Sequence, residues 1–116
     1  LREPEAHPGR LLPQGLRLGY RFGRLHMTSC DFSDGNWTCC DKPYDMDLAS
    51  FRVERFSEAI FPMVRGAQEA SGEPLKLLAS PWSPPAWMKA SNSMCKKGDH
   101  LLDEFREVWA KYFVRF

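Results

Sequence analysis

The sequence predicts an α/β chain of two successive strand–helix units, a partial (β/α)8 TIM barrel. Three observations predict it. Apolar residues alternate between short strand-like runs and one-sided helical stripes, in the order strand, helix, strand, helix. The segments that follow the strands are long, residues 28–53 and 81–102, whereas only Gly72-Glu73-Pro74 returns from helix to strand. Neither long loop carries the glycine-rich phosphate turn usual in an open doubly wound sheet of the same element order. In a barrel, long strand-to-helix loops collect at the C-terminal ends of the strands and build the active site. A complete barrel takes about 250 residues, so this chain would hold roughly a quarter of one.

Residues 1–17 are rich in Pro, Arg and Gly and show no period. They read as a lead-in, partly disordered, before a barrel fragment at 18–116. A strand is expected over residues 22–27, with Arg24 and His26 on one face and Leu25 and Met27 on the other. A polar stretch rich in Asp, Ser and Asn follows. A helix is then predicted from Phe56, Ala59, Ile60, Met63, Val64 and Ala67, spaced as one apolar stripe. Pro62 must lie in its first turn or kink it, and Gly72 is a C-terminal stop with Pro74 just beyond. Residues 75–80 form an apolar run of the buried-strand kind. The loop after them is dense in Pro and Trp. A second helix is expected from about Asp103 as N-cap, with the stripe Phe105, Val108, Trp109, Tyr112, Phe113 and Phe116. Glu104 and Glu107 stand early and Lys111 and Arg115 late, as the helix dipole favours. The stripe runs to Phe116 without a stop signal, so a chain cut inside or at the end of a helix is expected.

Composition narrows the function classes. Apolar residues make up 43% of the chain, enough for a packed core, and the formal net charge is +1. A nucleic-acid binder would carry a basic face, so no nucleic-acid partner is expected. The chain has no apolar run of the roughly 20 residues a membrane span needs. Cys30, Cys39, Cys40 and Cys95 match no zinc or redox spacing, and adding His26 and His100 does not help, so neither metal nor cofactor is expected. Four Trp are more than a small core needs, and such amphipathic rings also stack on sugars.

Three segments carry a resemblance. Gly23-Arg24-Leu25-His26-Met27-Thr28-Ser29-Cys30-Asp31-Phe32-Ser33 resembles the G-R-x-x-[IM]-x-S-C-D-F-S segment of glycoside hydrolase family 30, glucosylceramidase branch. The run from Ser80 through Pro81-Trp82-Ser83-Pro84-Pro85-Ala86-Trp87-Met88-Lys89 resembles the family's S-P-W-[ST]-[SP]-P-x-W-[ML]-K, and Trp109-Ala110-Lys111-Tyr112-Phe113-Val114-Arg115-Phe116 its W-A-x-Y-F-V-[KR]-F helix. The match covers about residues 18–116, read as the second and third βα units. It implies a (β/α)8 barrel that hydrolyses β-glucosides with retention, glucosylceramide being the hallmark substrate. The acid/base and nucleophile glutamates belong to later strands, so no catalytic residue is expected here. The residues agree, since none of the chain's glutamates stands just after a predicted strand, where barrel catalysts sit.

What the resemblance leaves to this chain is part of a sugar pocket. It assigns Asp31 to glucose hydroxyls, which two carboxylate oxygens can hold in pairs; spacing alone would favour Asp31 capping the following loop, and the motif reverses that. It assigns Trp82 to the same sugar, against the alternative of a core aromatic, and Arg24 to support beneath the catalytic carboxylates, against a structural ion pair. His26 shares Arg24's face, and site support and a satisfied core histidine stay open. Trp87 reads as loop packing, and Phe32 and Cys30 as structural. Asn36-Trp37-Thr38-Cys39-Cys40 departs from the family pattern, which lacks the paired cysteines. Xylanases and β-1,6-glucanases share the wider family. A non-catalytic carbohydrate- or glycolipid-binding relative is the reading from another class. A glycolipid substrate would bring peripheral membrane contact for the complete protein, and a lysosomal or secreted home is expected before a cytoplasmic one.

Overall fold

A computed structural model describes residues 19–116. The lead-in expected at 1–17 lies outside them. The described chain runs β1 (Phe22–His26), α1 (Glu54–Glu58), α2 (Ile60–Ser71), β2 (Lys76–Ser80) and α3 (Arg106–Arg115), with short 3-10 turns at Ala86–Met88 and Asp103–Phe105. β1 and β2 pair in one two-stranded sheet. Lys76 N–H donates to Arg21 C=O at 2.8 Å and Met27 N–H to Ser80 C=O at 3.0 Å, so the register advances together along both strands, a parallel pairing. Gly23 lets Leu77 lie close, because a Cβ there would stand 3.2 Å from Leu77 Cδ2. Among the described residues no helix is long and apolar enough to cross a membrane.

The described residues divide into two compact units, the first of residues 19–24 and 54–78, the second of 25–53 and 79–116. In the first, the single helix expected from the apolar stripe is two. Pro62 has no N–H, and its ring would meet the carbonyl of Glu58 in a continuous helix. Accordingly α1 ends at Glu58, Ala59 leaves helical geometry at φ −134°, and α2 restarts with Pro62 in its first turn. Phe56 is fully buried and stacks on Phe61, ring centroids 5.6 Å apart. No α2 side chain is fully buried, and Met63 is largely exposed. Gly72 closes the helix as its sequence position predicts: at φ +71° its N–H reaches the carbonyls of Gln68 (3.0 Å) and Glu69 (3.3 Å). β2 forms, but the burial expected of it does not. Leu77 is 41% and Leu78 50% exposed. A parallel strand is buried by neighbours on both sides and cover on both faces, and the described residues supply β2 with one neighbouring strand.

The second unit holds the larger core. Met27, Leu48, Phe51, Met88, Phe105, Val108 and Tyr112 are buried there. Phe51 meets Tyr112 edge-on at 4.9 Å and Trp87 meets Phe105 at 5.1 Å. The polar loop after β1 is knotted by its own acids. Asp45 accepts from Ala49 N–H (2.9 Å), Ser50 N–H (2.7 Å) and Ser50 Oγ (2.6 Å), and these bonds hold its carboxyl well below the usual carboxylate range. Asp41 accepts from Thr38 N–H at 2.9 Å and Thr38 Oγ1 at 2.7 Å. Asp99 accepts from Ser91 Oγ at 2.5 Å and pairs with Lys89 at 3.5 Å; the Ser91 bond leads in lowering its pKa to about 2.

The start of the last helix differs from the sequence expectation. Asp103 is not an N-cap. It opens the 3-10 turn, its carboxylate pairs with Arg106 at 2.7 Å on the surface, and Leu102 precedes it without a side-chain cap. Phe105, Val108 and Tyr112 form the buried row of α3, while Phe113 is 43% exposed and Trp109 only half-buried. Arg115 donates to Leu48 C=O at 2.7 Å and Asp47 C=O at 3.2 Å, fastening the end of the helix to the post-β1 loop.

Candidate substrate-binding residues

Asp31 stands at the corner of a turn just past the C-terminal end of β1. Ser33 N–H donates to Cys30 C=O at 3.0 Å, and Ser33 Oγ accepts from Cys30 N–H at 3.0 Å. Asp31 and Phe32 are therefore the two corner residues, and both are exposed. The capping role that spacing alone would allow Asp31 is filled by others: Ser33 caps its own turn, and Asp41 and Asp45 cap the turns that follow. Asp31 is exposed, and among the described residues nothing donates a hydrogen bond to its carboxylate. Phe32 is 92% exposed and is not the structural residue its place in the motif suggests, because the corner of the turn carries it outward. Cys30 is half-buried, with Ser33 Oγ 3.7 Å from its sulfur.

Trp82 follows β2 as Asp31 follows β1. Its N–H donates to Thr28 Oγ1 at 3.3 Å, and its side chain is 43% exposed, in the loop and not in the core. The Thr28 carbonyl lies 2.6 Å from His26 Nδ1, within hydrogen-bonding distance. Thr28, fully buried, thus ties the end of the first strand to the residue after the second. Sequence reasoning passed it over, although it is the first residue beyond the predicted strand. His26 is half-buried, its ring edge against Trp37 at 5.7 Å, so it has the partners of a satisfied histidine while standing at the strand's C-terminal end. Arg24 lies on β1 in the first unit and is exposed.

Trp87 is packing, as its sequence context suggests. It is 7% exposed, donates from Nε1 to Cys40 C=O at 3.0 Å, and lies against Phe105 and Tyr44. Tyr112 was legible only as one member of a stripe. It is fully buried; its hydroxyl accepts from Cys39 N–H at 2.8 Å and donates to Met27 C=O at 3.4 Å, which fixes both flanks of the loop that carries Asp31. Burial raises its phenol pKa well above the ordinary range, so it stays a neutral donor and acceptor. Among the described residues no disulfide joins any two of Cys30, Cys39, Cys40 and Cys95. Burial pushes the Cys40 thiol up, against an opposing hydrogen bond with Ser50. A cavity of about 290 Å3 opens in the second unit between Asn36, Asp41, Asn92, Ser93 and Met94, with Trp87 beside them. Among the described residues no group of His, Cys, Asp and Glu comes together as a metal site.

The described glutamates stand away from the C-terminal ends of both strands. Glu54 and Glu58 lie on α1, Glu69 on α2, Glu73 in the turn before β2, Glu104 in the 3-10 turn and Glu107 on α3. A model of the glycosyl hydrolase family 30 TIM-barrel domain matches residues 13–116. The chain belongs to glycosyl hydrolase family 30. The family 30 chain is similar to putative glucosylceramidase 4 of Caenorhabditis elegans, 44% identical over 104 residues, covering 85% of this chain and 20% of the relative. It is similar to the lysosomal acid glucosylceramidase of Mus musculus, 37% identical over 101 residues, covering 84% and 20%. Among solved structures it resembles SrfJ from Salmonella typhimurium, with a TM-score of 0.73 and 35% identity over 83% of this chain and 21% of that one. An endo-β1,6-glucanase shares the fold, with a TM-score of 0.68 at 24% identity. The chain therefore spans about a fifth of the length of the relatives it matches, and its two parallel strands with their helices are part of a TIM barrel.

Proposed function

We propose that this segment supplies part of the glucose pocket of a retaining β-glycosidase whose substrate is glucosylceramide. The observation that carries the reading is Asp31, an exposed carboxylate with no donor among the described residues, held at the corner of a turn just past a barrel strand. Barrel enzymes bind substrate at that end of the strands, and a carboxylate left open in this way accepts from two neighbouring sugar hydroxyls. Trp82, exposed after the next strand, offers an apolar ring face to the same sugar. His26, at the end of the same strand, supports the pocket, and Arg24 keeps the supporting role that its place in the family motif implies. The names of the nematode and mouse relatives favour glucosylceramide over other β-glycosides. A glycolipid substrate brings the enzyme to a membrane surface, and a lysosomal or secreted home goes with it. Both catalytic glutamates then lie elsewhere in the complete protein, and residues 1–116 alone do not hydrolyse.

The test is a pair of assays on a chromogenic β-glucoside. The complete protein is expected to release glucose first as the β-anomer, seen by proton NMR, while the 116-residue chain gives no turnover above buffer. Release of the α-anomer, or turnover by the short chain, would overturn the reading.

A further inference from the structure

The loop that departs from the family pattern contains Asn36-Trp37-Thr38, the only Asn-x-Ser/Thr triplet in the 116 residues, with no proline in the middle. Its three residues are treated differently by the fold. Asn36 is exposed in irregular chain, and its Oδ1 accepts from the thiol of exposed Cys95 at 3.3 Å. Trp37 is fixed on both sides of its peptide: its N–H donates to Ser29 Oγ at 3.1 Å, and its carbonyl accepts from Ser29 N–H at 2.9 Å. Thr38 is 5% exposed; its hydroxyl donates to Asp41 Oδ1 at 2.7 Å and accepts from Cys40 N–H at 3.1 Å.

We propose that Asn36 is an N-glycosylation site. An Asn-x-Thr acceptor is read from a surface loop, and Asn36 has the exposure that lets a glycan leave the surface without displacing core. Beside it, the cavity of about 290 Å3 sets polar Asn92 and Ser93 against apolar Met94 and Trp87. That mixture suits the polar rim and apolar face of a first N-acetylhexosamine. The Thr38 hydroxyl, which an oligosaccharide transferase must engage, is committed to Asp41 and Cys40 once the loop has folded. Transfer therefore precedes closure of this turn and takes place on the extended chain.

In the step itself, Asn36 Nδ2 attacks the anomeric carbon of an oligosaccharide carried on a lipid pyrophosphate. The bond from that carbon to phosphate oxygen breaks and its electron pair leaves with the lipid pyrophosphate. The new carbon–nitrogen bond forms, and the amide nitrogen gives up one proton. This inference requires nothing of Asp31 or Trp82, but it rests on the lysosomal or secreted home of the proposed function.

The test uses the complete protein made from its own reading frame in cultured eukaryotic cells. Trypsin should release the peptide from Leu25 to Arg52, whose sole asparagine is Asn36. Peptide N-glycosidase treatment in heavy-oxygen water is expected to convert Asn36 to labelled Asp, and Asn36→Gln to lower the protein's mass by one glycan. Asn36 is exposed and outside the core, so the variant should secrete and fold as the parent does. Recovery of the untreated peptide mainly with unmodified Asn36, or an Asn36→Gln protein of unchanged glycan mass, would overturn the proposal.

Discussion

Replacing Tyr112 by Phe in the complete protein removes one oxygen and leaves the ring. The ring contacts, with Phe51 at 4.9 Å and Trp109 at 4.8 Å, survive. What is lost is the acceptor for Cys39 N–H at 2.8 Å and a longer donation to Met27 C=O at 3.4 Å. Tyr112 and Cys39 are 0% and 3% exposed, so water cannot replace the missing oxygen without opening the core. A buried donor left unsatisfied costs about 1–3 kcal/mol, and the long second bond adds little. The expected loss is therefore about 2 kcal/mol, read from urea midpoints at unchanged slope. Burial holds the phenol pKa above its unfolded value near 10.0. Its contribution is thus fully present below that pH and is lost only as pH rises through the folded value, so the loss should be the same at every neutral or acidic pH. Val114→Ala, on the same helix at 88% exposure, is the control and should stay within about 0.5 kcal/mol. A Tyr112→Phe loss no larger than the control's would refute the reasoning, since Cys39 N–H would then have another partner.

Two further stability outcomes follow from the geometry. Asp45 has a folded pKa held below its unfolded value by the Ser50 and Ala49 donors, so its contribution is present above about pH 4 and disappears as pH falls through the folded value. Asp45→Asn should lower the thermal midpoint at neutral pH and flatten its decline in acid; parallel midpoint–pH curves for the two proteins would contradict this. Gly72→Ala meets open space but must hold φ +71°, so it should cost about 1–2 kcal/mol of unfolding free energy by urea titration, and a neutral result would show that the turn shifts at no cost.

How much of this was legible depends on how local each signal is. Gly72 and Trp87 were readable because one φ angle and one proline-rich loop determine them. The Pro62 constraint was readable too, but a continuous apolar stripe from Phe56 to Ala67 hid the break at Ala59, since periodicity records which residues face inward and not whether the backbone is continuous. The start of α3 was misplaced because an Asp before an apolar row looks like a cap whether or not its side chain turns back to the backbone; here Arg106 claims it. Phe32 stands in the family motif, yet only the Cys30–Ser33 turn determines that it points outward. The exposure of Leu77 and Leu78 reflects cover that the described residues do not contain, in a chain that spans about a fifth of its relatives' length. For the pocket, composition could name carboxylates and tryptophans but could not tell which were already occupied. The hydrogen bonds of Asp41, Asp45 and Asp99 commit those three within the fold, and among the described residues Asp31 is left open.

That contrast makes Asp31 the place to test the account. Asp31→Ala in the complete protein should lower kcat/KM for a β-glucoside by about 10–150-fold, the loss of one charged hydrogen bond to a sugar hydroxyl at about 1.5–3 kcal/mol. Its thermal midpoint should not move, because the carboxylate is exposed and accepts no hydrogen bond among the described residues. A folded Asp31→Ala protein with the parent's kcat/KM would contradict the claim that this turn holds the sugar.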